Sequence, residues 1–195
     1  MNPTSTASAE ITSSRLLLII DPQLDFINGT LPVPGAVEAM NALATYITTN
    51  SSAYCLKIIT ADSHPYNHFS FLENGGQWPR HCVHDTVGAA IWPSLFSAVY
   101  STPGDSHVFH KGQNKDIEEY SIFNNSAATA EITRLLCHHQ ITHIDLCGLA
   151  GDVCVLSTLK DLLQLFPALS VNVLTRYSPS IDGGISLNAY LSHLS

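Results

Sequence analysis

The side chains in this chain best suited to chemistry are a thiol, an ammonium and a set of acids and imidazoles, scattered widely along the sequence. Cys154 closes the segment Gly148-Leu149-Ala150-Gly151-Asp152-Val153-Cys154, which follows the run His143-Ile144-Asp145-Leu146-Cys147. A buried strand ending in a small, tight turn, then a helix capped by Asp152, places the thiol in the first helical turn. There the helix dipole and unpaired N–H groups favour a thiolate and a developing oxyanion. Asp21 follows the apolar residues Leu16 to Ile20, and Lys111 follows Val108-Phe109-His110, so each sets a charge at the mouth of a buried run. Brought together, the three would be a nucleophile, a general base and an electrostatic partner. A free thiol has a pKa of about 8.5; Lys111 would lower it, and Asp21 would take the proton. Each residue also has a plainer reading: Cys154 as buried filler, Asp21 as the cap of a turn begun by Pro22, Lys111 as a surface lysine at a strand end.

A second constellation is Asp62-x-His64-x3-His68, completed by His81 in Trp78-Pro79-Arg80-His81. One carboxylate and three imidazoles suit a borderline divalent ion, zinc first, with iron or manganese able to use the same donors. The alternative is chance clustering among the ten histidines of the chain, with Asp62 capping a helix and the imidazoles facing solvent. His84 is the nearest impostor, while His107 and His110 sit in a strand and read as packed or exposed spacers. Phe26, Trp78 and Tyr120 either wall a pocket or belong to the core, and Trp92 reads as core.

These groups need a scaffold. A continuous apolar run predicts a strand over 16–20, further strands read over 54–60, 106–110, 143–149 and 171–175, helical spacing predicts a helix over 36–49, and further helices read over 127–138, from 152 to about 166, and 187–194. Strands alternating with helices imply a parallel sheet covered on both faces, and Asp21, Asp62, Lys111 and Cys154 all fall at or just past carboxyl ends of strands, where such sheets bind ligands. The segment 69–93 is rich in Gly, Pro, His and aromatics without periodicity, and reads as a functional loop.

Composition narrows the class. Of 195 residues, 45% are hydrophobic and 12% charged, which suits one domain with a large core. A net charge of -8 and no basic run argue against nucleic acid or an anionic membrane, and favour a small-molecule ligand. No apolar run approaches the roughly 20 residues needed to span a bilayer. An odd count of five cysteines without a Cys-x-x-Cys pair reads as reduced thiols, hence a reducing, cytoplasmic setting. Residues 1–14 are polar and read as a flexible N-terminal arm before a single domain over 15–195. Self-association is left open.

The segments Ile19-Ile20-Asp21-Pro22-Gln23-Leu24-Asp25-Phe26, Asp62-Ser63-His64-Pro65, Asn67-His68-Phe69 and Trp78-Pro79-Arg80-His81-Cys82 complete a pattern with those around Lys111 and Cys154. Over about residues 16–175 this pattern resembles the isochorismatase-like cysteine hydrolases and, within them, the nicotinamidases. The resemblance implies a three-layer α/β/α fold with a central, mostly parallel sheet of five or six strands. It implies a triad of Asp21, Lys111 and Cys154, and a metal held by Asp62, His64, His68 and His81, a quartet that isochorismatases lack. It also implies a cis peptide between Leu149 and Ala150, and an oxyanion hole formed by the N–H groups of Ala150 and Cys154. The activity implied is hydrolysis of nicotinamide to nicotinate and ammonia through a cysteine thioester. The alternatives are another hydrolase of the superfamily, an isochorismatase or a carbamoyl amidase, and a catalytically silent metal-binding protein. The sequence departs from the pattern at Gly151, where many relatives carry Thr, and at Val153, where several carry a polar neighbour. The 112–123 loop looks longer than in bacterial forms, and the chain stops soon after the last helix, which points to five strands.

Overall fold

The computed structural model describes residues 14–194. Residues 1–13, nearly all of the expected arm, and residue 195 lie outside the described residues. The apolar runs pair edge to edge into a sheet of five strands: β1 (Arg15–Ile20), β2 (Leu56–Asp62), β3 (Asp105–Lys111), β4 (His143–Gly148) and β5 (Ser170–Val173). The order is β3-β2-β1-β4-β5 and every pairing is parallel. Six α-helices accompany them: α1 (Leu24–Ile27), α2 (Ala36–Thr49), α3 (Pro93–Ser101), α4 (Ser126–His138), α5 (Leu156–Leu165) and α6 (Ile185–Leu194).

Alternation along β1 explains the layering. Leu16, Leu18 and Ile20 point into one apolar core with Ile132 and Leu135 of α4 and Leu159 and Leu162 of α5. Leu17 and Ile19 point into the other, with Met40, Leu43 and Ile47 of α2 and Leu95 and Val99 of α3. Both faces of the strand are therefore buried, as a continuous apolar run requires. The strand order reverses between β1 and β4, so their carboxyl ends flank the crevice where an open α/β sheet receives its ligand.

The expected strands are present, with shifted ends. β2 runs on to Asp62 and β3 to Lys111, so both charges are the last residues of strands rather than members of the loops beyond. Helix α3 had no counterpart in the sequence reading. It is nine residues long with Pro93 in its first turn, and Leu95, Ala98 and Val99 make its buried stripe. Trp92, expected in the core, is at its rim instead, where Nε1 donates to Asn41 Oδ1 at 2.8 Å.

Candidate active site

Cys154 is positioned by the way β4 ends. Gly148 has φ +124°, and a Cβ there would stand 2.1 Å from the Ile20 carbonyl oxygen, so only glycine fits between β4 and β1. A cis peptide joins Leu149 to Ala150. The chain then makes one wide turn, Gly151–Val155, in which the Val153 and Val155 N–H groups both donate to the Ala150 carbonyl at 3.1 Å. The α-helical part begins only at Leu156. This corrects the expectation for Asp152, which does not cap the helix: its carboxylate accepts from the Ile181 N–H at 3.0 Å and the Asp182 N–H at 2.9 Å. The extra turn also sets Cys154, buried at 6% exposure, ahead of the helix rather than within its first α-turn.

Asp21 and Lys111 meet this thiol. Lys111 Nζ is 2.9 Å from Asp21 Oδ2, 2.5 Å from Asp62 Oδ1 and 3.7 Å from Cys154 Sγ. Asp21 is fully buried with φ +45°, a strained backbone of the kind that collects at functional sites. Its Oδ1 accepts from Thr60 Oγ1 at 2.7 Å, while no donor is aligned on Oδ2 among the described residues, so that oxygen keeps a lone pair for another proton. One oxygen of each of Asp21 and Asp62 and the sulfur of Cys154 lie within 4.8 Å of one another.

The electrostatics divide the roles. Burial opposes charge on Lys111, but the two carboxylates outweigh it and hold the ammonium well above the usual lysine range. Asp62 also suffers from burial, yet Lys111 and His64 outweigh that and keep its carboxyl below the ordinary range. Asp21 has the weaker support: burial raises it, Lys111 offsets only part of this, and Asp62 adds to the rise. Burial likewise pushes the Cys154 thiol well up, with Lys111 opposing and Asp21 reinforcing. Lys111 lowers the thiol, as expected from the sequence, but burial outweighs it, so a thiol of raised proton affinity stands beside a carboxylate of raised proton affinity.

Three of the four expected metal donors converge. Donor atoms of Asp62, His64 and His81 lie within 4.8 Å of one another, and all three residues are buried. His64 Nδ1 is 3.0 Å from the Gly112 carbonyl and His81 Nδ1 is 2.7 Å from the Pro79 carbonyl. A carbonyl only accepts, so each Nδ1 carries the hydrogen and each Nε2 presents a lone pair, the arrangement of histidines that bind a cation. His64 Nε2 then faces Asp62 Oδ2 at 3.6 Å, two acceptors that need positive charge between them. The same pull shows in His64 itself, where burial opposes the charged form but Asp62 raises its proton affinity. The donor set fits a divalent cation.

His68 differs. Its Nδ1 is 2.7 Å from Ser70 Oγ and its Nε2 is 3.1 Å from the Ile117 carbonyl, so both ring nitrogens are engaged. The ring packs beside His64 at 4.3 Å between centroids and does not join the three-donor cluster. His84 and His110 are exposed, and His107 pairs with Asp105 at 2.8 Å.

One small cavity joins these groups. Asp62, His81, Ala150 and Cys154 line it together with Phe26, Trp78 and Tyr120, and with Leu31, Val33, Glu118, Val153 and Ile181. Trp78 Nε1 donates to the Tyr120 hydroxyl at 3.1 Å, which fixes the two rings against each other. An aromatic-walled slot lined by a thiol and by two members of the donor cluster suits a flat, small ligand.

The family model described as the isochorismatase domain matches residues 15–165. The chain belongs to the isochorismatase family. Among relatives, it is 34% identical over 182 residues to the nicotinamidase of Escherichia coli (strain K12), covering 83% of this chain and 81% of that protein. Among solved structures, it is similar to the pyrazinamidase of Pyrococcus horikoshii in complex with zinc, at 31% identity and TM-score 0.77, covering 92% and 95% of the two chains. It is also similar to PnC1 from L. infantum in complex with nicotinate, at 28% identity and TM-score 0.76, covering 94% and 89%.

Several residues that hold this isochorismatase-family site together were not singled out from the sequence. Thr60 fixes Asp21, and its hydroxyl in the apolar strand β2 was the available signal. Gln23 holds the Asp62 backbone from both sides, its Nε2 donating to the Asp62 carbonyl and its Oε1 accepting from the Asp62 N–H, each at 2.7 Å. Asp25 accepts from the Cys82 N–H at 2.7 Å and so secures the segment that carries His81. Glu119 accepts from the Gly112 N–H at 2.7 Å, and a Cβ at Gly112 would stand 2.4 Å from His64 Cε1, so this glycine admits the imidazole. These partners are brought in by tertiary structure, and their residue types alone do not mark them.

Proposed function

We propose that this protein is a metal-dependent nicotinamidase that converts nicotinamide and water to nicotinate and ammonia. The observation that carries the reading is that Cys154, Asp62 and His81 line one aromatic-walled cavity, with Lys111 against Cys154 and Asp62, Asp21 against Lys111, and His64 against Asp62 behind that lining. The similarity to the nicotinamidase of Escherichia coli supports it.

In this reading Asp21 accepts the Cys154 proton on Oδ2 as the sulfur attacks the carboxamide carbon. Burial raises the proton affinity of Asp21, which suits it to take the proton as the sulfur attacks. The oxyanion is received by the Ala150 and Cys154 N–H groups, each worth on the order of 3 kcal/mol in the transition state. Asp21 returns its proton to the departing amine, leaving a nicotinoyl thioester. Asp21 next takes a proton from the water that attacks the thioester, and the sulfur leaves to be reprotonated. Lys111 keeps positive charge between Asp21 and Asp62 throughout. Phe26, Trp78 and Tyr120 hold the pyridine ring flat. Asp62, His64 and His81 would hold a divalent cation, zinc in our assignment, which would supply a Lewis acid beside the substrate ring.

The five cysteines are unpaired, which supports our assignment to a reducing, cytoplasmic setting. Among the described residues no helix is long and apolar enough to cross a membrane. The test is ammonia release from nicotinamide and from an N-carbamoyl amino acid by metal-loaded protein. Turnover of nicotinamide with little or none of the carbamoyl compound is expected; the reverse preference would overturn the reading.

A further inference from the structure

One wall of the cavity comes from a segment far along the chain that belongs to neither the thiol, the acid and lysine, nor the cation cluster. Ile181 lines the cavity with Cys154 and is 44% exposed, so it stands at the mouth. The strap that carries it is fastened to the very turn that bears the thiol. Gly151 N–H donates to the Pro179 carbonyl at 2.8 Å, and the two oxygens of Asp152 accept from Ile181 at 3.0 Å and Asp182 at 2.9 Å. A Cβ at Gly151 would stand 2.3 Å from Ser180 Oγ and 2.5 Å from the Ser178 carbonyl, so glycine here lets the strap seat closely. Beyond it, Gly183 and Gly184 have φ +73° and +90°, a bend that L side chains rarely adopt, and Asp182 accepts from the Gly184, Ile185 and Ser186 N–H groups to start α6. Within α6 only Leu187 is buried, so little apolar packing from that helix assists the strap.

From this we infer that Ile181 sets how large a substituent the substrate ring can carry, and that Asp152 is the positioning residue that holds it there. The inference deepens the amidase reading and rests on it for the identity of the ring, a pyridine carboxamide; the placement of Ile181 does not. A carboxylate two residues before a nucleophilic thiol would oppose developing negative charge were it turned inward. Both of its oxygens are instead directed to the strap, which couples the shape of the mouth to the turn carrying the sulfur. Shortening Ile181 opens the mouth to ring-alkylated carboxamides, and weakening the Asp152 clamp loosens the same wall without altering the thiol.

Two reagents test this. The Cys154 peptide is followed by mass spectrometry during alkylation with iodoacetamide and, separately, with a bulky N-aryl maleimide, so that the other thiols do not contribute. Ile181→Ala is expected to raise the ratio of bulky to small reagent rates by at least about tenfold, the discrimination that a few methylenes give in an apolar site. An unchanged ratio overturns the inference. With nicotinamide as the probe, Asp152→Asn is expected to raise KM about tenfold while kcat falls less than about threefold; a lowered kcat at unchanged KM would place Asp152 in the thiol's own turn instead and overturn its assigned part. Should Asp152→Asn fail to fold, the Ile181→Ala ratio decides alone. Absence of nicotinamide turnover by the unsubstituted protein would sink the amidase reading, yet the alkylation ratio still decides the strap.

Discussion

The Lys111 ammonium stands 3.7 Å from the Cys154 sulfur. It reaches that position from the end of β3 by lying between two buried carboxylates, Asp21 and Asp62, so one cation serves the thiol side and the metal side of the cavity together. Among the described residues neither carboxylate has another lysine or arginine as close. Lys111→Met is therefore expected to lower kcat at least about a hundredfold. It also leaves buried acids uncompensated, which should cost about 3 kcal/mol in urea unfolding. Wild-type stability in that variant would show that the acids are paired elsewhere.

The Thr60 hydroxyl tunes the base. Its hydrogen bond to Asp21 favours the ionised carboxylate, against burial, which raises the pKa. Activity needs Asp21 ionised, so it is present above the Asp21 pKa and lost as pH falls through it, and this acid limb lies above the ordinary carboxylate range. Thr60→Val removes a stabiliser of the charge, so the acid limb of kcat/KM should move to higher pH by about one pH unit. A limb that stays in place, or moves down, would mean that Asp21 is not the titrating base.

Much of this was legible in the sequence, for a physical reason that applies to the strand ends. Asp21 follows the unbroken apolar run 16–20, and Asp62, Lys111 and Cys154 lie at or just past the ends of other strand-like segments, so the ligand-binding edge of a parallel sheet is where they fall. Helix α2 was legible because Met40, Leu43 and Ile47 repeat at helical spacing. What escaped is what spacing cannot encode. Helix α3 is short and its Pro93 reads as a break rather than a first turn. The wide turn 151–155 has no sequence signature, and Asp152 there looks like a cap. The spacing of His68 is that of a ligand, and it carries no signal for the Ser70 hydroxyl and the Ile117 carbonyl that its ring nitrogens face in this structure.

That last point separates two histidines experimentally. After dialysis against a weak chelator, His81→Ala should retain roughly tenfold less bound metal than the unsubstituted protein, whereas His68→Ala should retain metal and lose mainly packing beside His64. Equal metal loss in both variants would return His68 to the donor set.

At the opposite end of β4 from the site, Asp145 accepts from Arg15 Nη2 at 2.6 Å, the Tyr54 hydroxyl at 2.8 Å and Asn172 Nδ2 at 2.7 Å. Burial alone would raise its carboxyl, but these three partners outweigh it and hold the pKa below the usual value. A depressed folded pKa gives stability that is fully present above the unfolded value of about 4 and is lost as pH falls through the folded one. Asp145→Ala should cost about 3 kcal/mol at neutral pH and progressively less below about pH 4. A penalty that is the same at pH 7 and pH 3, read from denaturant midpoints, would remove the charge from this account.

The covalent intermediate is the point on which the mechanism stands. Protein mixed with nicotinamide and quenched with acid within the first turnovers should carry a nicotinoyl group on the Cys154 peptide, and Cys154→Ala should lose the adduct and ammonia release together while keeping its bound metal. Ammonia release that persists in Cys154→Ala, or a nicotinoyl group found on another residue, would contradict the account.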